Sequence, residues 1–359
     1  MKLTRIGWDA FKALSLKDKA ACMVEDGRDR HVLFAQQYTR ARLEALGALA
    51  TQIRFAAKTK SGSDFLKDLL ADKRAMLYFT QPSTRTFLSF SGACQITGMG
   101  TGDVRDSTTS SEFKGESLED SVRTFSSYFD CIVMRTREQG LAERMAWVLS
   151  NSERPVPIVN AGSGKDQHPT QALLDIYTLQ RSFKGQGGID GKRMVFVGDL
   201  KRGRTVRSLA SLLTRYDGVR MVFVAPPSLQ VEKDVLDELD AAGVTYDLTD
   251  DFEAAIPEAD AIYMTRVQDE WDREKGESAR IDVSAFWFQK QHLRLLKPDA
   301  ILMHPLPRRN EISPEVDHDP RAMYWRQMRN GMWIRAALMA CLFQRDQDVR
   351  AYGEKMGTG

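Results

Sequence analysis

The chain has 359 residues, of which 42% are hydrophobic and 28% are charged, and its formal net charge is +2. This length exceeds one typical hydrophobic core and favours two domains, while the composition is that of a globular protein. The near-neutral charge gives no bulk electrostatic reason to expect a nucleic-acid or membrane partner, and no apolar run approaches the ~20 residues of a membrane span.

The first half of the chain alternates strands and helices after a weakly patterned start. Residues 1–33 mix charges of both signs and are expected to form a solvent-facing extension. Apolar residues at helical spacing predict a helix over 39–58, and a short apolar run predicts a buried strand over 75–79. The other elements predicted in this half are helices at 84–97, 117–129 and 169–180, strands at 131–134 and 156–160, and a long exposed loop at 102–113.

The alternation restarts beyond Gln186-Gly187-Gly188, which is typical of a linker. Strands are predicted at 194–199, 221–225, 261–264 and 300–303, with helices at 205–216 and 229–242 and a last helix from about 327 to 344. Strands that alternate with helices indicate parallel sheets. We therefore predict an α/β fold with two parallel-sheet domains. The predicted boundaries are an extension at 1–33, a first domain at 34–183 that also takes a C-terminal helix at about 327–350, and a second domain at 184–326.

The most informative stretch is Phe79-Thr80-Gln81-Pro82-Ser83-Thr84-Arg85-Thr86, which has the pattern of a strand end, a turn and a helix start. A helix start attracts anions through its unpaired N–H groups and its dipole. Arg85 adds a planar charged fork that suits a phosphate, and the hydroxyl groups add donors. The stretch therefore predicts a phosphate site, with an ordinary Ser/Thr helix cap beside an exposed Arg as the alternative.

Polar side chains also follow the other predicted strands, at the ends where open parallel sheets bind ligands. Together they would form one cationic cleft, which favours one or two small anionic substrates. Any single Arg among them is equally explained as a solvated surface charge, and His304 is interpreted as structural. No histidine pair has metal-ligand spacing and no GxGxxG motif is present, so neither a metal nor a cofactor is expected. The strand-end residues are Arg85, Arg135, His168, Gln171, Lys201, Arg204, Arg266, Gln268, His304, Leu306 and Arg308.

The four cysteines lie far apart and include no CxxC pair. Short secreted proteins instead carry dense disulfide frameworks. The spacing favours reduced thiols and a cytoplasmic location.

Several motifs occur in the order in which the transcarbamoylases carry them. They are Ser83-Thr84-Arg85-Thr86, Lys114-Gly115-Glu116, His168-Pro169-Thr170-Gln171 and His304-Pro305-Leu306-Pro307-Arg308. Three further stretches narrow the match to one branch of that family: Gly198 to Val206, Tyr263 to Gln268, and Asn330-Gly331. The chain resembles the aspartate-specific branch of the transcarbamoylase family from about Phe34 to Gln344.

The resemblance implies an enzyme that transfers the carbamoyl group of carbamoyl phosphate to the amine of L-aspartate, in pyrimidine biosynthesis. It implies a carbamoyl phosphate domain and an aspartate domain joined by two interdomain helices. It also implies a homotrimer with shared active sites, in which the loop carrying Ser110 and Lys114 crosses into the neighbouring subunit. It leaves open whether a regulatory chain or a dihydroorotase partner binds. A cis peptide is expected at Leu306-Pro307.

The resemblance also assigns roles to individual residues. Ser83, Arg85 and Thr86 would hold the phosphate, with Arg135 beside them, and His168 and Gln171 would contact the carbamoyl end. Arg204, Arg266 and Gln268 would bind the aspartate carboxylates, while the Leu306 carbonyl would accept from the amine. The residues expected to act directly in catalysis are Arg85, Thr86, Lys114, Arg135 and His168.

Two alternatives remain at this stage: a transcarbamoylase for a different amino acid, and a catalytically silent homologue that serves as an assembly scaffold. The chain also departs from the family pattern. Phe87 replaces an Arg, and Gln81 and Trp271 replace a Glu and an Arg that form interdomain salt bridges in some relatives. We therefore expect domain closure to rely on other contacts, with Arg273 as one substitute.

Overall fold

The computed structural model of the chain describes residues 2–106, 115–164, 167–272, 274 and 280–357. The chain divides into two compact units. The first unit is Met1–Leu173 with Arg329–Gly359, and the second is Leu174–Met328.

The first unit contains most of the N-terminal half and the end of the chain. Its helices are α1 (Trp8–Lys12), α2 (Leu16–Cys22), α3 (Arg40–Ala56), α4 (Lys60–Leu69), α5 (Thr84–Ile96), α6 (Leu118–Tyr128), α7 (Leu141–Ser150) and the start of α8 (Pro169–Ser182). Its strands are β1 (Val24–Glu25), β2 (Arg28–Asp29), β3 (Arg74–Phe79), β4 (Gly100–Val104), β5 (Cys131–Arg135) and β6 (Ile158–Asn160).

The second unit repeats the strand–helix alternation. Its strands are β7 (Arg193–Val197), β8 (Arg220–Val224), β9 (Thr245–Thr249), β10 (Ala261–Met264) and β11 (Ile301–Met303). Its helices are α9 (Arg204–Leu213), α10 (Lys233–Ala241) and α11 (Phe252–Ala255). The later helices are α12 (Tyr324–Leu342), which begins in this unit, and α13 (Asp346–Lys355), which belongs to the first. The two divisions between the units fall inside α8 and α12.

Each unit is built on its own parallel sheet, which confirms the predicted α/β class. The first sheet has the strand order β4-β3-β5-β6 and the second has the order β11-β10-β7-β8-β9. In both sheets the central strands are buried apolar runs, as expected for sheets covered on both faces. Because all strands of a sheet run in one direction, their carboxyl ends lie along one edge. In each sheet, that edge is where the sequence places the candidate site residues.

The predicted exposed loop at 102–113 is wrong for its first three residues. Gly100 to Val104 form β4, which pairs with β3 from Arg74↔Gly100 to Tyr78↔Val104. Gly and Asp, which make up three of its five residues, are depleted in strands, so the sequence pattern did not mark it. The buried partner β3 supplies the hydrogen bonds that hold these residues extended. The remainder of the predicted loop, from 107 onward, lies outside the described residues.

The C-terminal helix predicted at about 327–350 is also wrong as a single element. Helix α12 ends at Leu342, and Gln344 has a φ of 60° before α13 begins at Asp346. A left-handed residue cannot continue a right-handed helix, so the chain turns here. The Arg345 N–H donates to Ala340 O at 2.7 Å, a bond that closes the end of α12.

The first 33 residues do not behave as a solvent-facing extension. Phe11 and Met23 are fully buried and belong to one core cluster with Met145 and Leu149 of α7. The Trp147 indole N–H donates to Ile6 O at 2.9 Å, which ties the start of the chain to the same helix. The helices here, α1 and α2, have only five and seven residues, too few for a clear periodic signal, and their partners in α7 lie more than 100 positions away.

Candidate functional site

The carboxyl end of β3 leads into the 13-residue helix α5, which begins at Thr84. Ser83 stands just before the helix with a φ of −162°, and within the described residues its side chain makes no capping hydrogen bond. The Phe87 N–H donates to Ser83 O at 3.2 Å, so the N–H groups that precede Phe87 stay at the open helix end. Thr86 is buried and Arg85 half-buried at this end. The geometry is that of an anion site.

Arg135 and His168 lie close together around Gly162. Arg135 is the last residue of β5 and donates from Nη1 to Ala161 O at 3.1 Å. Gly162 has a φ of +94°, and a Cβ there would lie 2.7 Å from His168 Cδ2 and 2.9 Å from Arg135 Nη1. Only glycine fits such a position, both for its backbone conformation and for space. The loop after β6 thus brings two predicted site residues to one point.

Backbone and side-chain hydrogen bonds join the ends of β3, β5 and β6. The Gln81 N–H donates to Arg135 O at 3.1 Å, which sets the turn before α5 beside the end of β5. Oriented so that its nitrogen faces carbonyl groups, the Gln81 amide also donates to Gly162 O at 3.3 Å and Thr136 O at 3.2 Å. Asn160 Oδ1 accepts from the N–H groups of Gly162 and Ser163, both at 2.9 Å. The three loops are therefore held as one body.

The remaining residue predicted for this site, Gln171, is buried in the first turn of α8, and its N–H donates to His168 O at 3.0 Å. The structure thus brings six predicted residues to one edge of the first sheet: Ser83, Arg85, Thr86, Arg135, His168 and Gln171. Ser110, Lys114 and Arg273 lie outside the described residues.

In the second unit, Arg266 follows β10 and makes a two-pronged ion pair with Glu270. Nη1 of Arg266 lies 2.8 Å from Glu270 Oε2, Nη2 contacts Oε1, and Nη1 also donates to Val267 O at 2.9 Å. The paired fork fixes the orientation of the guanidinium group. Arg204 is half-buried at the first position of α9, beyond the carboxyl end of β7.

Gln268 is held through its backbone by Asp199, which follows β7. The Gln268 N–H donates to Asp199 Oδ2 at 3.0 Å, and the Arg202 N–H donates to Asp199 Oδ1 at 3.1 Å. Burial raises the pKa of the Asp199 carboxyl, although these hydrogen bonds oppose that shift. Arg202 closes the group by donating from Nη1 to Asp272 Oδ1 at 2.8 Å. The ends of β7 and β10 are joined in this way.

Leu306 lies in the loop after β11, and the predicted cis peptide at Leu306-Pro307 is confirmed. The Leu306 N–H donates to His304 Nδ1 at 2.7 Å, and His304 Nε2 lies 2.8 Å from Glu311 Oε1. Because Nδ1 accepts, Nε2 carries the proton and donates to the carboxylate. Burial raises the pKa of Glu311, but the His304 hydrogen bond opposes it and the net shift is downward. The interpretation of His304 as structural is confirmed.

Arg308, counted among the strand-end cations, has structural partners instead. It forms a two-pronged ion pair with Asp317, and its Nη1 donates to Tyr324 OH at 3.2 Å. The prediction that Arg308 joins a cationic cluster therefore has no support from its contacts.

Sequence reasoning missed the residues that orient the predicted ones. Asp199 entered only as part of the stretch from Gly198 to Val206, without a role of its own, and Glu270, Glu311 and Gln167 were not singled out. A carboxylate four residues after Arg266 was a usable signal for Glu270, because loops often close such pairs locally. Gln167 bonds to residues more than 130 positions away, for which no local pattern exists.

Within the described ranges, no cluster of three or more His, Cys, Asp or Glu side chains is arranged to hold a metal ion. In that same part of the chain, no helix combines the length and the apolar character needed to cross a membrane.

Comparison with known families places both units in one group. The model for the carbamoyl-P binding domain of aspartate/ornithine carbamoyltransferase matches residues 30–181. The model for the Asp/Orn binding domain of the same family matches residues 190–342.

Individual relatives agree with the family models. The aspartate carbamoyltransferase catalytic subunit of Vibrio cholerae is 42% identical over 312 residues, which cover 87% of this chain and 96% of the relative. Chloroplastic aspartate carbamoyltransferase 1 of Pisum sativum is 40% identical over 315 residues, covering 87% and 78%. The aspartate transcarbamoylase of Trypanosoma cruzi, solved with carbamoyl phosphate and aspartate, is similar in structure with a TM-score of 0.79 at 36% identity, covering 87% and 96%.

Proposed function

The chain belongs to the aspartate/ornithine carbamoyltransferase family, and we propose that it is the aspartate-specific enzyme. It transfers the carbamoyl group of carbamoyl phosphate to the amine of L-aspartate, giving N-carbamoyl-L-aspartate and phosphate in pyrimidine biosynthesis. The observation that carries this assignment is the pairing of an open helix end at Ser83–Thr86 with Arg135 and His168, in a chain 42% identical to an aspartate carbamoyltransferase.

The carbamoyl phosphate half-site consists of Ser83, Arg85, Thr86, Arg135, His168 and Gln171. The N–H groups at the start of α5 and the Arg85 fork bind the phosphate, because both present donors to its oxygens. Arg135 and His168, which meet at Gly162, face the carbamoyl end. Gln171, one turn into α8, completes that end.

The reaction needs no protein nucleophile, since the aspartate amine itself attacks the carbamoyl carbon. Negative charge then develops on the carbamoyl oxygen, where Thr86, Arg135 and His168 donate. Preorganised donors of this kind are worth about 3–4 kcal/mol each. The departing phosphate accepts the proton that the amine releases, so His168 acts as a hydrogen-bond donor and not as a base. Lys114 neutralises charge near the leaving phosphate.

The aspartate half-site consists of Arg204, Arg266, Gln268 and Leu306. Two guanidinium groups and an amide suit a dicarboxylate, whereas the cationic side chain of ornithine would be repelled. Glu270 holds the Arg266 fork, and Asp199 holds the Gln268 backbone, so the donors are oriented before the substrate binds. The Leu306 carbonyl accepts from the substrate amine.

Replacing Arg266 with glutamine is expected to raise the KM for aspartate by about 10²-fold, since a charged hydrogen-bonded pair contributes roughly 1.5–3 kcal/mol. The KM for carbamoyl phosphate should change little. Steady-state kinetics with each substrate varied in turn measure both values.

The matched control is Arg220→Gln, at the amino end of β8 and therefore on the opposite edge of the same sheet. Equal changes in the two KM values for Arg266→Gln would contradict the assignment. Assays of the unsubstituted protein with ornithine and with N-acylated aspartate and ornithine test the alternative of another amino-acid substrate. Absence of product with every one of these amino acids and with aspartate itself would favour the catalytically silent scaffold.

The active unit that we propose is a homotrimer in which Ser110 and Lys114 of one subunit complete the site of the next. Native mass measurement should give a particle of three chains, with and without a bisubstrate analogue that joins a phosphonate to aspartate. A monomer in both conditions would exclude shared sites. Regulatory or dihydroorotase partners would appear as added mass in particles purified from the source cells.

We also propose a cytoplasmic location. All four cysteines are free thiols, and burial raises the pKa of the Cys94 thiol to about 12. Buried, unpaired thiols are compatible with a reducing compartment.

A further inference from the structure

We propose that Gln167 is a positioning residue for His168. Residues 31–37, here called the leading segment, hold Gln167 in place through hydrogen bonds to its side-chain amide. The proposal rests on the proposed function, because it concerns the carbamoyl phosphate half-site. It assigns a functional role to a part of the chain that precedes the first family motif.

Gln167 is joined to the leading segment through both ends of its amide. Its Oε1 accepts from the Ala35 N–H at 2.6 Å, and its Nε2 donates to Gln36 Oε1 at 2.7 Å. Its backbone carbonyl accepts from Asn160 Nδ2 at 3.2 Å. Since His168 is the next residue, these three bonds fix the peptide from which the imidazole projects.

The leading segment is itself fixed to the edge of the first sheet. The Val32 N–H donates to Ile158 O and the Asn160 N–H donates to Val32 O, both at 2.8 Å. His31 Nδ1 accepts from the Ile158 N–H at 3.0 Å. These bonds continue the parallel pairing by one more chain beyond β6. The leading segment is therefore as fixed as the sheet itself and can hold Gln167, near the end of the loop after β6, in one position.

One buried side chain also holds the shape of the leading segment. Gln37 Oε1 accepts from the N–H groups of Leu33 and Phe34 at 2.7 and 2.9 Å, and its Nε2 donates to His31 O at 2.7 Å. The same Nε2 donates to Asp29 Oδ1 at 2.9 Å. With these bonds made, Ala35 and Gln36 present their groups to Gln167 in one conformation.

The loop that begins at Ala161 and ends at His168 is thus held at both of its ends. Asn160 Oδ1 holds Gly162 and Ser163 at the start, and the leading segment holds Gln167 at the finish. A displacement of His168 would change its distance from Arg135, which it meets at Gly162. Misplacement of a catalytic group by about 1 Å costs about 10² in rate.

The test is Gln167→Leu, which removes both amide bonds at similar volume. We expect the KM for carbamoyl phosphate to rise and kcat to fall, by about 10-fold each, with the KM for aspartate at saturating carbamoyl phosphate changed less than about twofold. Binding of inorganic phosphate, followed by calorimetry, should weaken far less, because phosphate is held at α5. Gln167→Glu keeps the acceptor for Ala35 and should lie between Gln167→Leu and the unsubstituted protein.

The matched control is Lys19→Met. It removes the 2.8 Å ion pair between Lys19 and Glu143, which ties α2 to α7, and it leaves both amide hydrogen bonds of Gln167 to the leading segment in place. This variant should lose some thermal stability but keep its kinetic constants. If Gln167→Leu does not fold, the same measurements on Gln36→Ala test the proposal. That variant removes the hydrogen bond from Gln167 Nε2 to Gln36 Oε1 and leaves the bond to Ala35.

Unchanged kinetics for Gln167→Leu would overturn the proposal, as would equal kinetic losses in Lys19→Met, because these would mean general loosening. Failure of the proposed function has a different signature: the unsubstituted protein itself would make no N-carbamoyl-L-aspartate.

Discussion

Replacing Arg85 with alanine is expected to lower kcat for N-carbamoyl-L-aspartate formation by about 10³-fold, while the protein remains folded. Arg85 is half-buried at the start of α5, where the helix dipole and the N–H groups of the first turn already favour an anion. Removing the guanidinium fork takes away the strongest donor to a phosphate whose charge grows as it leaves. Initial rates at saturating substrates give the change in kcat.

Arg85→Lys separates the charge from the fork: it should recover part of the loss, because an ammonium group cannot make the two-pronged contact. The matched control is Arg154→Ala, near the amino end of β6 and thus on the opposite edge of the sheet, where Arg154 donates to Ser127 O at 2.7 Å. Circular dichroism and thermal melting establish that each variant is folded. A folded Arg85→Ala protein within tenfold of full activity would remove Arg85 from the mechanism.

The second large effect concerns acid stability and depends on His31. This side chain is 3% exposed, accepts from the Ile158 N–H at Nδ1 and lies 2.8 Å from Ser150 Oγ through Nε2. Burial, helped by the charge of Arg30, lowers the pKa of His31 to about 3. The folded protein therefore holds the ring neutral, with the proton on Nε2.

The sign of the pH dependence follows from that shift. The unfolded chain protonates His31 near pH 6.5, so its contribution to stability is complete above that pH and is lost as the pH falls toward 3. Between pH 7 and pH 5 the loss is about 2 kcal/mol, at about 1.4 kcal/mol for each pH unit below the unfolded pKa.

His31→Asn keeps an acceptor for the Ile158 N–H but cannot take up a proton. The difference in unfolding free energy between the unsubstituted protein and His31→Asn, measured by urea titration at both pH values, should shrink by that amount on acidification. His318→Asn, at an exposed histidine, is the matched control for the loss of one imidazole. A difference that stays constant with pH would contradict the neutral, buried state of His31.

Much of the fold could be predicted because the signals were local. Thr39 and Ser117 cap α3 and α6 where the sequence pattern began helices, and Gly98, with a φ of 75°, follows the end of α5. Strands such as β5 and β7 could be predicted because each is a short run of mostly apolar residues. Elements whose stability comes from partners were missed, among them β4, α4, α7 and α13.

The residues of the candidate site also divide into those with a local sequence signal and those that depend on distant partners. Residues at or just beyond the carboxyl ends of strands, such as Arg135 and Arg266, could be found from the chain alone, because the carboxyl ends of parallel strands share one edge. Residues that orient them, such as Gln167 and Asp199, could not, since their partners are 132 and 69 positions away in the sequence. Only the fold brings such pairs together.

The attachment of residues 2–37 to α7 and β6 has a consequence for how the protein is made. The bond from Trp147 to Ile6 joins residues 141 positions apart, so Ile6 leaves the ribosome long before the helix on which it docks. At a synthesis rate of about 5–20 residues per second, Phe11 and Met23 spend roughly 6 to 28 seconds without their partners in α7. Apolar side chains left uncovered for that long are natural targets for chaperones acting during translation. The carbamoyl phosphate half-site can mature only when residues 31–37, made well before β6, pair with the edge of the sheet.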